Sequence, residues 1–256
     1  MFEKFREMQR ELNVAFIDLE KAYDRVARQE IWRCMREKGT PEKYVRLIQE
    51  MYEGAKTQVR SSVGMTGKFT IKVGLHQGSV LSPYLFDMIM DVLTRNVKRE
   101  PPWNIMFADD IVLCEQSKED LERKLEDWRM ALEERGMKIS KTKTEVMTLH
   151  RAEDIHINLQ NESLTPVKKF KYLGSFVEEE GDLSPEIQHR ISCGWLNWRK
   201  LSGVLCDRKI SVKQKGRLYK TVVRPALMYS SETWPITKAQ ERKMEVAEMR
   251  MLRWVC

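Results

Sequence analysis

The chain has 256 residues, a net charge of +7 and 42% apolar and aromatic residues. That apolar content excludes an intrinsically disordered chain, and the length allows one large domain or a domain with an appendage. The mild positive excess suits a polyanionic partner, but many basic proteins bind nothing acidic, so charge alone assigns no function.

The five cysteines are scattered along the chain, and no two of them have Cys-x-x-Cys spacing. Such a set predicts neither a disulfide framework nor a zinc site. No apolar run is long enough to span a membrane, and the N-terminus lacks the apolar region of a signal peptide. We therefore expect an intracellular protein, in the cytoplasm or nucleus, with no membrane partner.

The first predicted strand runs from Val14 to Asp18, whose carboxylate is expected where the strand ends. Tyr23 follows and, taken alone, is a core aromatic that starts a helix. Helical spacing then predicts one helix that ends at Gly39 and a second that begins at Thr40-Pro41-Glu42. The apolar face of the second helix, with its aromatics in the core, is predicted to comprise Tyr44, Leu47, Ile48, Met51 and Tyr52.

A strand, a turn near Gly64 to Gly67 and a returning strand are predicted over 57–73. The segment from Gly74 to Pro83 then combines glycines with small polar residues and precedes an apolar helix at about 84–97. A glycine-rich turn that opens a helix lets the backbone approach a nucleotide or template closely. An ordinary loop followed by a helix cap explains the same pattern.

The segment 104–114 places two adjacent carboxylates, Asp109 and Asp110, between runs of β-prone apolar residues. This pattern predicts a tight hairpin with buried arms and an acidic tip. Neighbouring carboxylates repel each other, so burying them is costly unless a cation binds between them. An isolated Asp-Asp pair is more often a solvated turn. Asp18 changes the balance, because three carboxylates around one point suit a hard divalent cation.

Beyond this hairpin, a helix with a capping signal is predicted to begin at Ser117 and to end at Gly136. Its buried stripe is predicted to be Leu121, Leu125, Trp128 and Leu132. Two strands separated by the turn 141–143 follow up to Leu149, and 170–175 has the signature of a short hairpin.

From Ser184 onward the chain is predicted to be helical. Four cations share one face of the segment from Ser211 to Leu227, at positions i, i+4, i+7 and i+11: Lys213, Arg217, Lys220 and Arg224. A stripe of this kind can follow a phosphate backbone, although a solvated helix face is the commoner explanation.

Three strings, taken in this order and at this spacing, resemble the palm motifs of reverse transcriptases. They are Phe16-Ile-Asp18-Leu-Glu-Lys-Ala-Tyr23-Asp24, Gly74-Leu-His-Gln77-Gly78-Ser-Val-Leu-Ser-Pro83 and Phe107-Ala-Asp109-Asp110. The sequence of these motifs is most similar to that of LINE-type (non-LTR) retrotransposon enzymes, and the similarity covers nearly the whole chain.

This resemblance implies an α+β fold. A polymerase palm, with an antiparallel sheet packed on helices, is expected over 1–178, and a helical thumb-like region over 179–256. Too few residues precede Asp18 to build the fingers region of a complete enzyme. The chain is therefore expected to be a fragment in which the fingers are largely missing.

The resemblance also implies RNA-directed DNA synthesis from an RNA template, a DNA primer and deoxynucleoside triphosphates. Two Mg²⁺ or Mn²⁺ ions are expected, and the implied ligands are Asp18, the backbone carbonyl of Leu19, Asp109 and Asp110. Catalysis would then be mainly positioning and charge neutralisation.

Further roles follow from the same resemblance. Tyr23 would lie under the incoming sugar and exclude a 2′-hydroxyl group, while Gln77 and Gly78 would contact the nucleotide and template. Lys143 would donate a proton to the leaving pyrophosphate, although Lys141 is equally well placed in the sequence. The primer-grip element is implied at Tyr172, Leu173 and Gly174.

Two other classes of function remain open. An inactive retroelement-derived remnant that binds RNA or DNA through its basic tail would fit the missing fingers. The intact Asp18, Asp109 and Asp110 argue against long decay, because one substitution would destroy the site. A generic metal-binding structural protein does not explain the segment at Gln77 and Gly78.

Overall fold

The computed structural model describes residues 1–150 and 156–254. The chain divides into two compact units, Met1–Val167 and Lys168–Cys256, and each unit has a hydrophobic core of its own. The first unit combines a sheet with helices, and the second is a hairpin followed by helices.

Among the described residues of the first unit, the helices are α1 (Phe2–Glu7), α2 (Ala22–Arg25), α3 (Arg28–Glu37), α4 (Glu42–Tyr52), α5 (Leu81–Leu93) and α6 (Lys118–Glu133). The strands in the same residues are β1 (Leu12–Ile17), β2 (Lys56–Thr57), β3 (Arg60–Ser61), β4 (Gly64–Met65), β5 (Phe69–Thr70), β6 (Asn104–Phe107), β7 (Asp110–Glu115), β8 (Glu145–Leu149), β9 (Asn158–Leu159), β10 (Glu162–Ser163) and β11 (Thr165–Pro166). The central sheet has the order β11-β8-β1-β7-β6, and β1 is antiparallel to both of its neighbours.

The central position of β1 explains its apolar sequence. Every residue of β1 is buried, as are Ile111 to Glu115 of β7. The edge strand β6 is different, since Ile105 is 37% exposed and Phe107 64%. The prediction of two buried hairpin arms is therefore right for β7 and wrong for β6, because an edge strand keeps part of its surface in solvent.

Helix α6 covers this sheet and follows the predicted pattern. Ser117 is its N-cap, and the Ser117 hydroxyl accepts a hydrogen bond from the backbone N–H of Asp120 at 3.1 Å. Gly136, with φ +84°, follows the end of the helix in a left-handed conformation. Each residue of the predicted stripe is 0% exposed, namely Leu121, Leu125, Trp128 and Leu132.

Helix α4 buries a narrower face than its apolar pattern predicted. Tyr52 and Ile48 are buried, whereas Tyr44, Leu47 and Met51 are 49%, 52% and 50% exposed. The prediction of a core position for Tyr44 was wrong. The packed face is centred on Val45, Ile48 and Tyr52, and the apolar stripe extends beyond what the core covers.

Two boundaries also differ from the prediction. The hairpin over 57–73 forms through pairing of β2 with β5 and of β3 with β4, but its turn is at Ser62-Val63 rather than near Gly64 to Gly67. Helix α5 begins at Leu81 and ends at Leu93, about one turn earlier at each end than its apolar run indicated.

Among residues 168–254, the second unit contains β12 (Lys169–Tyr172), β13 (Ser175–Glu178), α7 (Ser184–Lys200), α8 (Ser202–Leu205), α9 (Val212–Leu218), α10 (Arg224–Leu227) and α11 (Lys238–Arg253). A π-helical turn at Tyr219–Val223 joins α9 to α10. Leu173 and Gly174 join the two strands with φ values of +47° and +82°. Two positive φ values are typical of a type I′ hairpin turn, so the hairpin predicted at 170–175 is confirmed.

In the part of the chain that the structure describes, no helix has both the length and the apolar character needed to cross a membrane. Cys34 and Cys114 are buried free thiols, and Cys193 and Cys206 are also free. Cys256 lies outside the described residues.

Candidate active site

The predicted carboxylates lie at the same end of the paired strands β1 and β7. The antiparallel register pairs Ile17 with Ile111, so Asp18, one residue beyond β1, lies opposite Asp110 at the start of β7. Directly opposite residues in a sheet have Cβ atoms about 4.5–5.5 Å apart. The backbone therefore brings together two carboxylates that are distant in sequence.

Asp109 occupies the turn between β6 and β7. Phe107 pairs with Asp110, which leaves Ala108 and Asp109 as the two turn residues. Ala108 has φ +54°, a conformation that is uncommon for a residue with a Cβ. A positive φ at the first turn position alone is the sign pattern of a type II′ turn, which matches the twist of paired strands. The turn leaves Asp109 exposed beside Asp110.

The carboxylates of Asp18, Asp109 and Asp110 interact electrostatically. Partial burial raises the pKa of Asp110, and the charges of Asp109 and Asp18 raise it further. Burial also raises the pKa of Tyr23, to which Asp109 and then Asp87 add a smaller contribution. As the side chains stand, no three His, Cys, Asp or Glu groups in 1–150 and 156–254 form a ready metal-binding cluster.

Asp18 is held by the loop that precedes β8. The backbone N–H of Ser140 donates to the carbonyl of Asp18 at 2.8 Å, and the N–H of Asp18 donates to Thr144 Oγ1 at 3.4 Å. Leu19 is buried and forms an antiparallel bridge with Ile139. This anchoring fixes the direction in which the strand end presents its carboxylate.

One oxygen of Asp18, Oδ2, is buried and has no hydrogen-bond partner in the described structure. Its charge is met by the ammonium of Lys143 at 3.6 Å, which is too far for a hydrogen bond, and two further carboxylates stand nearby. Hard cations such as Mg²⁺ take oxygen ligands of this kind. The donor set therefore fits a divalent cation, even though its side chains are not assembled into a closed cluster.

The structure distinguishes the two lysines that the sequence left equivalent. Lys143 Nζ lies 3.6 Å from Asp18 Oδ2, and its side chain is 71% exposed. Lys141 Nζ instead forms an ion pair with Glu162 at 2.7 Å. Lys143 is therefore the lysine beside the carboxylates.

The ring of Tyr23 has a fixed orientation. It stacks on Phe86 of α5 with ring centroids 4.4 Å apart and an interplanar angle of 15°. Stacking of aromatic rings is favourable beyond the area it buries. One face of the Tyr23 ring therefore packs in the core, while the charge of Asp109 contributes to the raised pKa of its hydroxyl group.

The segment that carries Gln77 is joined closely to the chain after Tyr23. The N–H of Leu75 donates to the Tyr23 carbonyl at 2.8 Å. A Cβ on Gly74, whose φ is +80°, would lie 2.8 Å from the backbone oxygen of Asp24. The Gln77 amide Nε2 donates to Asp24 Oδ1 at 2.9 Å. Only glycine fits at 74, and the carboxylate of Asp24 orients the amide of Gln77.

Asp24 was not among the predicted site residues, although it closes the string Ala-Tyr-Asp beside Tyr23. A cavity of about 640 Å³ lies next to Gln77, at the base of the hairpin formed by β2 to β5. Gly78 has φ +86°, and nothing lies within 4 Å of the place where its Cβ would be. Open space around Gly78 permits the close approach that the sequence pattern predicted.

In the second unit, side chains hold the turn between β12 and β13. The Tyr229 hydroxyl donates to the carbonyl of Leu173 at 2.8 Å, and the Arg190 guanidinium donates to the carbonyl of Gly174. Tyr172 is the last residue of β12 and is half-buried. The predicted primer-grip residues thus form one braced turn.

The predicted basic stripe is exposed at each of its positions, Lys213, Arg217, Lys220 and Arg224. Arg224 Nε lies 3.7 Å from Glu248 Oε1, which offsets part of the charge. Val222, predicted on the opposite and buried side, is 38% exposed. The π turn at Tyr219–Val223 changes the periodicity, so the buried positions recur every four residues at Lys215, Tyr219, Val223 and Leu227.

Comparison with known proteins assigns the motifs to a family. A family model described as reverse transcriptase (RNA-dependent DNA polymerase) matches residues 2–177. The chain belongs to the reverse transcriptase family.

Its relatives include proteins of non-LTR retrotransposons. The R2 polyprotein of Popillia japonica is 26% identical over 245 residues, which cover 88% of this chain and 39% of that protein. The jockey RNA-directed DNA polymerase of Drosophila funebris is 25% identical over 257 residues, covering 93% of this chain and 28% of that protein. A transposon-derived protein of Caenorhabditis elegans is 28% identical over 157 residues, 59% of this chain and 55% of that protein. This reverse transcriptase chain therefore spans between about a quarter and about half of these relatives.

Solved structures show the same fold. Apo telomerase of Candida tropicalis aligns with a TM-score of 0.54 at 15% identity, covering 99% of this chain and 50% of that one. The complex of that telomerase with a telomeric RNA fragment aligns with a TM-score of 0.53 at 14% identity, covering 98% and 45%. The α+β class, with a polymerase palm and a helical thumb-like region, is confirmed.

Proposed function

We propose that this chain carries out RNA-directed DNA synthesis, in which a primer 3′-hydroxyl attacks the α-phosphorus of a deoxynucleotide and pyrophosphate leaves. The substrates are an RNA template, a DNA primer and deoxynucleoside triphosphates. The observation that carries the proposal is the register that sets Asp18 opposite Asp110, with Asp109 in the adjoining turn. Family membership supports the class of chemistry.

The proposed ligands of two Mg²⁺ or Mn²⁺ ions are Asp18, Asp109, Asp110 and the carbonyl of Leu19. When bound, such ions neutralise phosphate charge and hold the attacking and leaving oxygens in line. The chain contributes carboxylates whose mutual repulsion is relieved by a cation. The buried Asp18 Oδ2, which lacks a hydrogen bond, supports its role as a ligand.

Other residues position the substrates. Lys143, 3.6 Å from Asp18, is proposed to donate a proton to the leaving pyrophosphate. Tyr23, fixed by stacking on Phe86, is proposed to block a 2′-hydroxyl group on the incoming sugar. Gln77 and Gly78 are proposed to contact the nucleotide and template.

Contacts with the nucleic acid are proposed on the second unit. The braced turn at Tyr172, Leu173 and Gly174 would hold the primer strand. The exposed stripe on α9, the π turn and α10 would neutralise phosphates, a contribution that falls as salt rises. The stripe comprises Lys213, Arg217, Lys220 and Arg224.

Extension of a labelled DNA primer on an RNA template in Mg²⁺ or Mn²⁺ tests this function. Asp109→Asn keeps the size of the side chain and removes its charge, and should lower the rate about 10³-fold or more. Asp127→Asn, at an exposed position of α6, is the matched control and should extend normally. Affinity for the template–primer duplex should change little in both variants.

Wild-type rates from Asp109→Asn would show that the site is assigned wrongly. A wild-type protein that binds the duplex and extends nothing under either metal would favour the alternative, a retroelement-derived remnant that binds nucleic acid without catalysis.

A further inference from the structure

Side chains from the helical part of the second unit bind both carbonyl groups of the turn between β12 and β13. The Tyr229 hydroxyl donates to the Leu173 carbonyl at 2.8 Å, and the Arg190 guanidinium donates to the Gly174 carbonyl. Arg190 lies on α7, and Tyr229 follows α10. The Arg190 guanidinium also lies over the Tyr229 ring, 4.6 Å from its centroid, so the two donors stabilise each other.

A carboxylate on α7 binds the same hairpin. Glu186 Oε2 accepts from the backbone N–H of Phe176 at 2.8 Å, and Glu186 Oε1 accepts from Arg190 Nε. Glu186 is 1% exposed and Arg190 6%, so this ion pair is buried. The two residues lie four positions apart on α7 and therefore share one helix face. Together with Tyr229 they form what we call the turn brace.

Stability alone does not account for burying these two charges. A buried ion pair can often be replaced by apolar residues of similar volume with a neutral or favourable effect on folding. Apolar side chains could not supply the hydrogen bonds that the pair makes to the backbone of Gly174 and Phe176. What the pair contributes beyond packing is therefore the position of the turn.

The turn that the brace holds has a strained backbone. Leu173 has φ +47°, a conformation that is unfavourable for a bulky residue. Strained conformations of this kind persist only where surrounding contacts determine them, and they cluster at functional sites. The brace supplies such contacts, while the side chain of Leu173 is 38% exposed at the tip of the hairpin.

We propose that Glu186, Arg190 and Tyr229 are positioning residues for primer extension. They hold the turn at 172–174 in the conformation that places the end of the primer strand, and they act through the turn rather than on the reacting atoms. This inference rests on the proposed function for the contact between the turn and the primer.

The first test replaces the buried pair. The brace-pair variant, Glu186→Met with Arg190→Met, keeps the net charge and fills similar volume, so it should stay folded in urea unfolding. Single-turnover extension should fall about tenfold or more, because a small displacement of a reacting group is costly. Affinity for the template–primer duplex should change less than about threefold, since the exposed cations remain.

The matched control removes another buried ion pair. Glu115 and Lys124 lie 2.8 Å apart in the first unit, away from the hairpin. The control-pair variant, Glu115→Met with Lys124→Met, should lose less than about threefold in extension rate. Equal losses in the two pair variants, or wild-type extension by the brace-pair variant, would overturn the inference.

A milder test removes one hydrogen bond. Tyr229→Phe keeps the ring over Arg190 and should lower the extension rate about fivefold. Because Tyr229 is 48% exposed, water can replace its hydroxyl group and the fold should be retained. Tyr219→Phe is the control: it removes a hydroxyl group that donates to Glu248 at 3.1 Å, and should lose less than about twofold. A larger loss in Tyr219→Phe would contradict a specific role of the turn.

Hydrogen exchange on protein without nucleic acid measures the turn directly. In the brace-pair variant, amides of β12 and β13 should exchange about tenfold faster or more, while those of α11 keep their rates. Uniform acceleration across the second unit would overturn the inference, because the pair would then only stabilise the fold.

Photo-crosslinking in EDTA separates this inference from the proposed function. A primer with 4-thiothymidine at its 3′ end should crosslink to residues 172–174 of the wild type, and the brace-pair variant should lose about 80% of this product at equal duplex occupancy. Equal yields, or no wild-type crosslink to the turn, would overturn the inference even if extension is normal. A wild type that crosslinks in this way and extends nothing would contradict the proposed function and leave the brace supported.

Discussion

The acidic end of the sheet and the basic stripe of the second unit both concentrate charge of one sign, but they are built differently. Asp18 and Asp110 extend from buried, hydrogen-bonded strands, so their backbone positions are fixed by the register. The cations of the stripe are exposed and have long side chains. A rigid acidic site suits a small hard ion, and a flexible basic surface suits a long polyanion.

This difference predicts two kinds of response to substitution. At the acidic end, single changes should cause large losses of rate, because geometry is what the site supplies. In the stripe, each cation should contribute a similar and smaller part of the affinity for nucleic acid, since phosphate neutralisation is roughly cumulative. Graded, small effects at the acidic end would remove the distinction.

The largest effect expected beside the aspartates concerns Lys143. Lys143→Ala should lower the extension rate about 100-fold, because a positioned proton donor contributes about 10²–10⁴-fold. Lys141→Ala is the control, since Lys141 is paired with Glu162, and should lose less than about threefold. Single-turnover extension measures both. Equal losses would mean that Lys143 has no chemical role.

A second test concerns the glycine that joins the Gln77 segment to Asp24. Gly74→Ala should destabilise the fold by about 1–3 kcal/mol, because it combines a backbone clash with a strained positive φ. Gly67→Ala is the matched control: its Cβ would meet nothing within 4 Å, and it should change stability by less than about 1 kcal/mol. Urea unfolding measures both. Similar values for the two variants would show that the close contact at Gly74 is not maintained in solution.

Substitution of Asp24, which accepts a hydrogen bond from Gln77, should have a smaller effect. Asp24→Ala should raise the KM for nucleotide about tenfold, with a smaller change in kcat, because the Gln77 amide loses the acceptor that orients it. Asp24→Asn retains an acceptor oxygen and should restore most of the affinity. Steady-state extension at varied nucleotide concentration separates the two constants. Failure of the Asn variant to rescue KM would argue for a purely structural role.

The smallest effect follows from the raised pKa of Asp110. A carboxyl whose folded pKa is raised favours the folded state when protonated, and this contribution is lost as pH rises through the folded pKa. Without metal, Asp110→Asn should therefore be more stable than wild type at pH 7, by less than about 1 kcal/mol because the group is largely exposed. The difference should disappear below the ordinary pKa of 3.8. Lower stability of the variant at pH 7 would contradict the repulsion.

Much of the acidic site could be predicted from sequence, because short strings specify their own local structure. Apolar runs around Asp18 and Asp110 form buried strands, and the Asp109 turn follows from strand pairing. The choice between Lys141 and Lys143 could not be made, because it depends on Glu162. Asp24 was missed since its contact with Gln77 joins residues that are 53 positions apart.

The helical region was harder to predict in detail. Periodicity found the exposed cations of α9 but could not foresee the π turn that follows them. The exposure of Tyr44 on α4 was also missed. An apolar helix pattern shows which face is apolar, but it does not show how much of that face packs against the core.

Binding of Mn²⁺, measured by electron paramagnetic resonance on the full chain without nucleotide, tests the central claim most directly. The account predicts that wild-type protein binds Mn²⁺ and that Asp18→Asn and Asp110→Asn each weaken this binding about tenfold or more, while Asp127→Asn does not. Equal Mn²⁺ affinity in wild type, Asp18→Asn and Asp110→Asn would show that the carboxylates at the end of β1 and β7 do not hold the ion.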